Sequence, residues 1–449
     1  MVLGGRKQPF PRKAQQVAWA GPSRGRSPQQ SSRPGIRGAL AAVGDFIVRA
    51  HKFLSLFAAS LIAFAPFHSF AQEPDDSTSV RDRPRPEYDP LGMRFGGFNL
   101  HANLDLGIAT SDNIFAEETG QDDDTIFTAA LNGRLESGWS RHALAIEAGG
   151  RSTSYDDFSS EDTETGYAGI RGRLDIGARS NISGSAYVAH EVEPRNDPDG
   201  PIGGDPVEYD RSSLQASAQH TFNRVRVTGT VARTEYDYDG AQNFRDFDET
   251  SFTGRVEAAV SPRIGLLLQA TGDERDYDNA PPLSSDGRTV LVGATINFTD
   301  LMRGEIAVGQ FDRDYDFGGS TDGVAVAADL EWYITRLTTL AFHARRNSED
   351  VVGGTVALPY VESRYGGRVD HELLRNVILT AGVELGKREY DIIDRDDDFV
   401  YFEAGADYLV NRRVVLRGRF VHDEVESDGV NRYRDYEENR FSLGVSFRL

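Results

Sequence analysis

The chain has 449 residues, no Cys, 46 Gly, 25 Phe, 17 Tyr and a formal net charge of −21. Without cysteine it has no disulfide, thiolate metal site or cysteine nucleophile, and its acidity argues against electrostatic binding of nucleic acid. A polar composition over this length argues against membrane-spanning helices but not against a barrel, where only alternate residues meet lipid.

Residues 1–71 read as an N-terminal extension followed by a Sec signal peptide. Phe53 to Pro66 (FLSLFAASLIAFAP) is apolar but too short to span a bilayer as a helix. Arg49, His51 and Lys52 precede it, and Ser69-Phe70-Ala71 places small residues at the −3 and −1 positions of a cut after Ala71. Residues 1–47 are rich in Lys and Arg; a start at Val48 is one reading and a genuine long leader the other. Removing 1–71 takes away ten Lys/Arg and one acid, Asp45, so the mature chain carries about −30.

Residues 72–96 (including EPDDSTSVRDRPRPEYDP) are rich in Pro, Asp and Arg and lack periodicity. They read as a flexible periplasmic segment, the alternative being a partial plug folded into a pore.

From residue 97 to 449 one unit repeats. A strand rises to Tyr-Asp, a Gly- and acid-rich loop follows, and a second strand descends to a tight turn carrying Arg. Tyr-Asp recurs at Tyr155-Asp156, Tyr236-Asp237, Tyr277-Asp278, Tyr315-Asp316 and Tyr390-Asp391. The turns fall at Ser140-Arg141, Arg179-Ser180, Asn223-Arg224, Pro262-Arg263, Met302-Arg303, Thr335-Arg336, Arg375-Asn376 and Asn411-Arg412, with turn arginines roughly 33–45 residues apart. Within strands the alternation is of period two. Phe441, Leu443, Val445, Phe447 and Leu449 share one face, and Ser442, Gly444, Ser446 and Arg448 the other.

One face is apolar and the other charged, with no separate core to build. The apolar face therefore meets lipid. The fold predicted is an all-β, transmembrane, antiparallel up-and-down β-barrel of about 18 strands, with 16–18 the range, in the outer membrane. Both chain ends of the barrel then lie on the periplasmic side. Tyr236, Tyr238, Tyr277, Tyr315 and Phe317 near strand tops are read as an aromatic girdle at the headgroup level.

The same register assigns a lumen face to Arg134, Glu136, Glu147, Arg151, Arg171, Arg173, Asp175, Arg255, Glu257, Glu305, Asp329, Glu331, Arg345, Glu384, Arg388, Glu403, Asp407, Arg417 and Arg419. Cross-strand ion pairs bracing the wall are one reading, with Arg171 and Arg173 near Glu147 and Arg151, and Glu384 and Arg388 near Glu403 and Asp407. A polar track for a hydrated solute is the other, and the two are compatible.

No catalytic constellation stands out. There is no nucleophile elbow, and His142, His190, His220, His343, His371 and His422 are scattered singly. The triplets Asp122–Asp124 and Asp396–Asp398 lack the spacing of a calcium loop and read as solvated acids. We expect no enzyme, no cofactor and no metal site, and we expect outer-membrane lipids and the barrel-assembly machinery as partners.

The repeat, the Tyr-Asp strand tops, the Arg-bearing turns and the C-terminal FSLGVSFRL resemble the putative beta-barrel porin type 2 family of Gram-negative bacteria. The chain departs from the usual outer-membrane ending in Phe or Trp by finishing Phe447-Arg448-Leu449. The resemblance implies an outer-membrane channel. Some members accompany exopolysaccharide or capsule systems, which implies a passive export conduit working beside a polysaccharide export lipoprotein. A general small-solute porin and a non-transporting surface barrel are the alternatives.

Overall fold

The computed structural model describes residues 78–198, 204–298, 301–353 and 356–449. The expected extension, signal peptide and cut after Ala71 lie outside the described residues. A short strand β1 (Met93–Phe95) pairs back on β2 (Phe98–Ser111). Then follow β3 (Asp124–Ser137), β4 (Ala143–Tyr155), β5 (Thr163–Ile176), β6 (Ser180–Val192), β7 (Glu208–Phe222), β8 (Val225–Tyr238) and β9 (Phe247–Ala259). The second half holds β10 (Ile264–Tyr277), β11 (Ser285–Phe298), β12 (Met302–Tyr315), β13 (Gly319–Thr335), β14 (Thr338–Gly353) and β15 (Val356–Leu374). β16 (Val377–Tyr390), β17 (Asp396–Leu409), β18 (Val414–Asp428) and β19 (Tyr436–Arg448) complete it.

Each strand from β2 onward pairs antiparallel with its sequence neighbour, and β19 pairs with β2 from Arg440↔Ser111 to Arg448↔Asn103. The result is a closed barrel of 18 strands, β2 to β19, as the repeat predicts. Closure leaves no unpaired strand edge across the apolar band, which is what lets a sheet satisfy its backbone within hydrocarbon. The Arg-bearing connections are two to five residues long, whereas the opposite ones reach fifteen, between β6 and β7. In the two-residue β7–β8 turn, Asn223 has φ 54°, a left-handed conformation that asparagine tolerates.

The outward face is aliphatic at mid-strand: Val308 is 56% and Leu443 54% exposed. Toward the Tyr-Asp end it turns charged. On β12, Ile306 and Val308 give way to Gln310, Asp312 and Asp314; on β8, Val227 and Val231 give way to Arg233, Glu235 and Asp237. From Val308 to Tyr315 is about 23 Å of strand at the usual rise. The barrel wall thus continues well above the apolar band. At the periplasmic ends of their strands, Phe222, Trp332, Tyr408 and Phe447 point outward and are exposed, and they form an aromatic fringe on that side of the apolar band.

Candidate functional site

All 18 strands surround the barrel interior, and period-two alternation decides what faces it. Cross-strand partners carry one face around the ring: Glu136 opposes Asn99, Glu147 opposes Arg134, Arg171 opposes Ala145, and Arg419 opposes Gly405. All nineteen residues assigned to the lumen from sequence fall on this inward face.

Most of them are ion-paired there. Arg171 donates to Glu147 at 2.6 Å, Arg134 to Glu136 at 3.0 Å and Arg173 to Asp175 at 3.0 Å. Arg255 bridges Glu257 at 2.7 Å and Glu305 at 2.6 Å, while Arg345 reaches Asp329 at 3.3 Å and Arg303 holds Glu331 at 2.7 Å. Arg417 pairs with Asp105 at 3.0 Å and Arg419 with Asp407 at 2.6 Å. Arg151 and Glu403 share the face without an ion pair among the described residues. The neighbourhood expected for Glu384 and Arg388 is different. Arg388 turns to Glu362 on β15 at 3.1 Å, and Glu384 meets Arg364 at 2.5 Å and His343 at 2.8 Å. Antiparallel register explains this: Asp407 lies opposite Ile378 near the periplasmic turn, whereas Arg388 lies opposite Asp397 near the far end.

The periplasmic end is occupied by residues 79–89. This stretch, expected within a flexible segment, is anchored in the mouth of the barrel, the position that the plug reading describes. Val80 is fully buried, and its N–H donates to Thr339 Oγ1 at 2.9 Å. The Arg81 guanidinium meets Asp370 at 2.7 Å, Thr380 at 2.5 Å and Asp407 at 3.4 Å. Arg85 donates to Glu372 at 2.9 Å and to the Val80 carbonyl at 2.7 Å. Arg412 and Arg448 donate to the carbonyls of Pro86 and Tyr88 at 2.8 and 2.9 Å. The stretch is formally neutral, but its three arginines all reach acids of the barrel floor, Asp370 and Glu372 among them.

The far end is narrowed by two intrusions. The β6–β7 connection reaches across the interior: Asn196 donates to Asp423 on β18 at 2.6 Å, and Arg195 pairs with Glu161 at 2.6 Å. The top of the β14–β15 hairpin leaves the wall. β13 pairs with β14 only as far as Val326↔Arg346, although β12 and β13 stay paired up to Tyr315↔Gly319. The freed hairpin leans inward. Asp350 takes Arg275 as an ion partner and accepts from the Tyr277 hydroxyl at 3.3 Å, and Val361 packs with Phe311 and Ala325. Thr321 on the bared part of β13 donates to Asp391 at 2.5 Å.

Between these intrusions is a cavity of about 450 Å³. One side is aromatic. Tyr209 stacks with Tyr238 (centroids 5.1 Å apart), Tyr236 with Phe247 (4.5 Å), and Phe247 with Tyr277 (5.0 Å). The opposite side carries Glu349, Asp350, Glu362, Arg364 and Arg388, and Arg275, beside Tyr277 on β10, reaches across to Glu349 and Asp350. Phe399 lies across Gly386, where an added Cβ would meet its ring at 1.9 Å, and Arg364 and Arg388 lie over that ring at 4.8 and 4.6 Å. A side chain at 386 would displace the ring against which both guanidiniums rest.

This corrects the girdle expected from Tyr236, Tyr238, Tyr277, Tyr315 and Phe317. The tyrosines share the inward parity of Arg275 and Arg313, Tyr277 and Tyr315 are 6% and 5% exposed, and Phe317 packs against them. They stand inside the barrel, above the apolar band. Two residues of the acidic triplets are structural. Asp124 accepts from the backbone N–H of Asp156, Asp157 and Phe158, and Asp397, 1% exposed, holds Arg395 at 2.6 Å. In that loop burial works against the Arg395 charge, but the hydrogen bond to Asp397 prevails and raises the guanidinium above its ordinary value. Among the described residues no group of three His, Asp or Glu is arranged to hold a metal ion.

Sequence reasoning missed Arg275, Arg313, Arg364, Glu362 and Asp370, which share the lumen face. Parity would have found Arg313, eight residues from Glu305 on the same strand; Arg275, Glu362, Arg364 and Asp370 lie on β10 and β15, where no residue was assigned to the lumen.

A family model described as Putative beta-barrel porin 2 matches residues 85–449, and the chain belongs to that family. No curated protein matches. Among solved structures, Pseudomonas aeruginosa OpdL is similar at 15% identity and TM-score 0.43, covering 79% of this chain and all of its own. Pseudomonas aeruginosa OccK2 (OpdF) is similar at 13% identity and TM-score 0.47, covering 78% of this chain and 98% of its own. A BenF-like porin from Pseudomonas fluorescens Pf-5 is similar at 13% identity and TM-score 0.45, covering 78% of this chain and 99% of its own. The protein is a porin-like β-barrel of the outer membrane.

Proposed function

Taking that membership as premise, we propose that the barrel passes carbohydrate, as a passive and non-catalytic conduit for export of exopolysaccharide or capsule. One observation carries the reading: stacked aromatic rings on β7 to β10 face a wall of paired arginines and carboxylates across the cavity. Sugars present both chemistries at once, with C–H faces that pack on rings and hydroxyls that bond to charged acceptors and donors. The polymer would be driven from the periplasmic side, with a polysaccharide export lipoprotein as partner there, and the chain would enter the membrane through the barrel-assembly machinery.

A clean deletion of the gene tests this. Surface polysaccharide is expected to fall while intracellular precursor synthesis continues. Unchanged surface polysaccharide sinks the export reading.

A second reading is a diffusion porin for small solutes. The intrusions at both ends of the lumen favour it, since a polymer needs them displaced. Steady conductance in a planar bilayer with no polysaccharide defect in the deletion would select it. A barrel with neither conductance nor export defect would be a surface structure.

A further inference from the structure

We infer that the cavity below the β6–β7 connection is a binding subsite for neutral or amino sugars and rejects uronates. The inference rests on the carbohydrate reading above and narrows it to one charge class.

The argument starts from charge. The cavity is lined by six carboxylates and four guanidiniums, a formal charge of −2. The guanidiniums are also committed. Arg245 holds Glu193 through both of its terminal nitrogens, at 3.0 and 2.5 Å, with side chains only 5% and 7% exposed. Arg275 is shared by Glu249, Glu349 and Asp350. Arg388 rests on Glu362, and Arg364 is divided between Glu362 and Glu384. A uronate carboxylate would have to displace one of these partners, leaving a buried carboxylate without its cation.

Hydroxyls and ammonium groups face no such obstacle. A paired carboxylate keeps lone pairs that accept further donors, and each sugar hydroxyl brings one O–H. An ammonium adds attraction to the net negative lining in a space where water screens weakly. The edges of the Tyr236 and Phe247 rings, whose faces are stacked on one another, supply apolar area for the sugar's C–H groups.

The test is equilibrium binding by isothermal titration calorimetry on the full mature chain in detergent, with three probes of equal length. These are a glucosamine hexamer, maltohexaose and a galacturonate hexamer. The glucosamine hexamer is expected to bind at least tenfold more tightly than the galacturonate hexamer, with maltohexaose between them. Raising salt from 50 mM to 1 M should narrow the preference without abolishing it, because partly buried charges are screened less than exposed ones. Glu249→Gln, checked for folding by heat-modifiable mobility, should narrow the glucosamine preference. A smaller than tenfold preference at low salt, or tighter galacturonate binding, overturns the charge inference and leaves the carbohydrate reading standing. Binding of none of the three overturns both.

Discussion

The two ends of the lumen are narrowed in different ways. At the periplasmic end a separate stretch, 79–89, lies against the wall and is tied to it by side chains from β14 to β19. At the far end the wall itself bends inward, through a long connection and through a hairpin that parts from its neighbour. The first obstruction can leave without breaking a strand ladder. The second belongs to the barrel and can only flex. The difference teaches where a change of state is cheap: side-chain contacts and one buried Val80 hold the periplasmic end, whereas at the other the intruding segments are covalent parts of the wall and the hairpin keeps its ladder to β16.

The largest expected effect breaks this comparison directly. Deleting 78–91 should raise single-channel conductance in planar bilayers at least twofold; an unchanged value would place the narrowest point at the far end instead. Next is Glu372→Gln. Arg85 and Glu372 have side chains only 5% and 8% exposed, and breaking a buried pair from one side costs about 3–5 kcal/mol. The segment should undock for part of the time, seen as frequent opening events and faster proteolysis near Arg83. Gly386→Val tests the far end. With the Phe399 ring already at 1.9 Å from the new Cβ, overpacking should cost about 1–3 kcal/mol, read as a lower temperature for loss of the heat-modified band on a gel. The smallest effect is Arg288→Ala. That outward pair with Asp312 spans 4.0 Å with side chains 73% and 54% exposed, and exposed pairs are worth at most about 1 kcal/mol, so conductance and melting should stay unchanged.

The barrel was legible in the sequence because period two and the alternation of long and short loops are local signals. The predicted count of about 18 strands agrees with the closed ring from β2 to β19. The lumen face was legible for the same reason. What misled was the Tyr-Asp repeat. Tyr277 is two residues from Arg275 and so faces inward with it, but aromatic rings near strand ends suggested lipid headgroups. The charged outward residues Asp312 and Asp314 were the corrective, since a face carrying them has already left the membrane. The docking of 79–89 was not legible, because its partners are 259 to 360 residues away in sequence and no local pattern encodes them.

Those separations also set an order of events. Tyr88 is held by Arg448, from the strand that closes the ring. The stretch that leaves the ribosome early therefore has no complete seat until the last strand is in place. Its docking acts as a receipt for a finished barrel: a protein halted before closure would show a loose, protease-sensitive N-terminus, and a completed one would not.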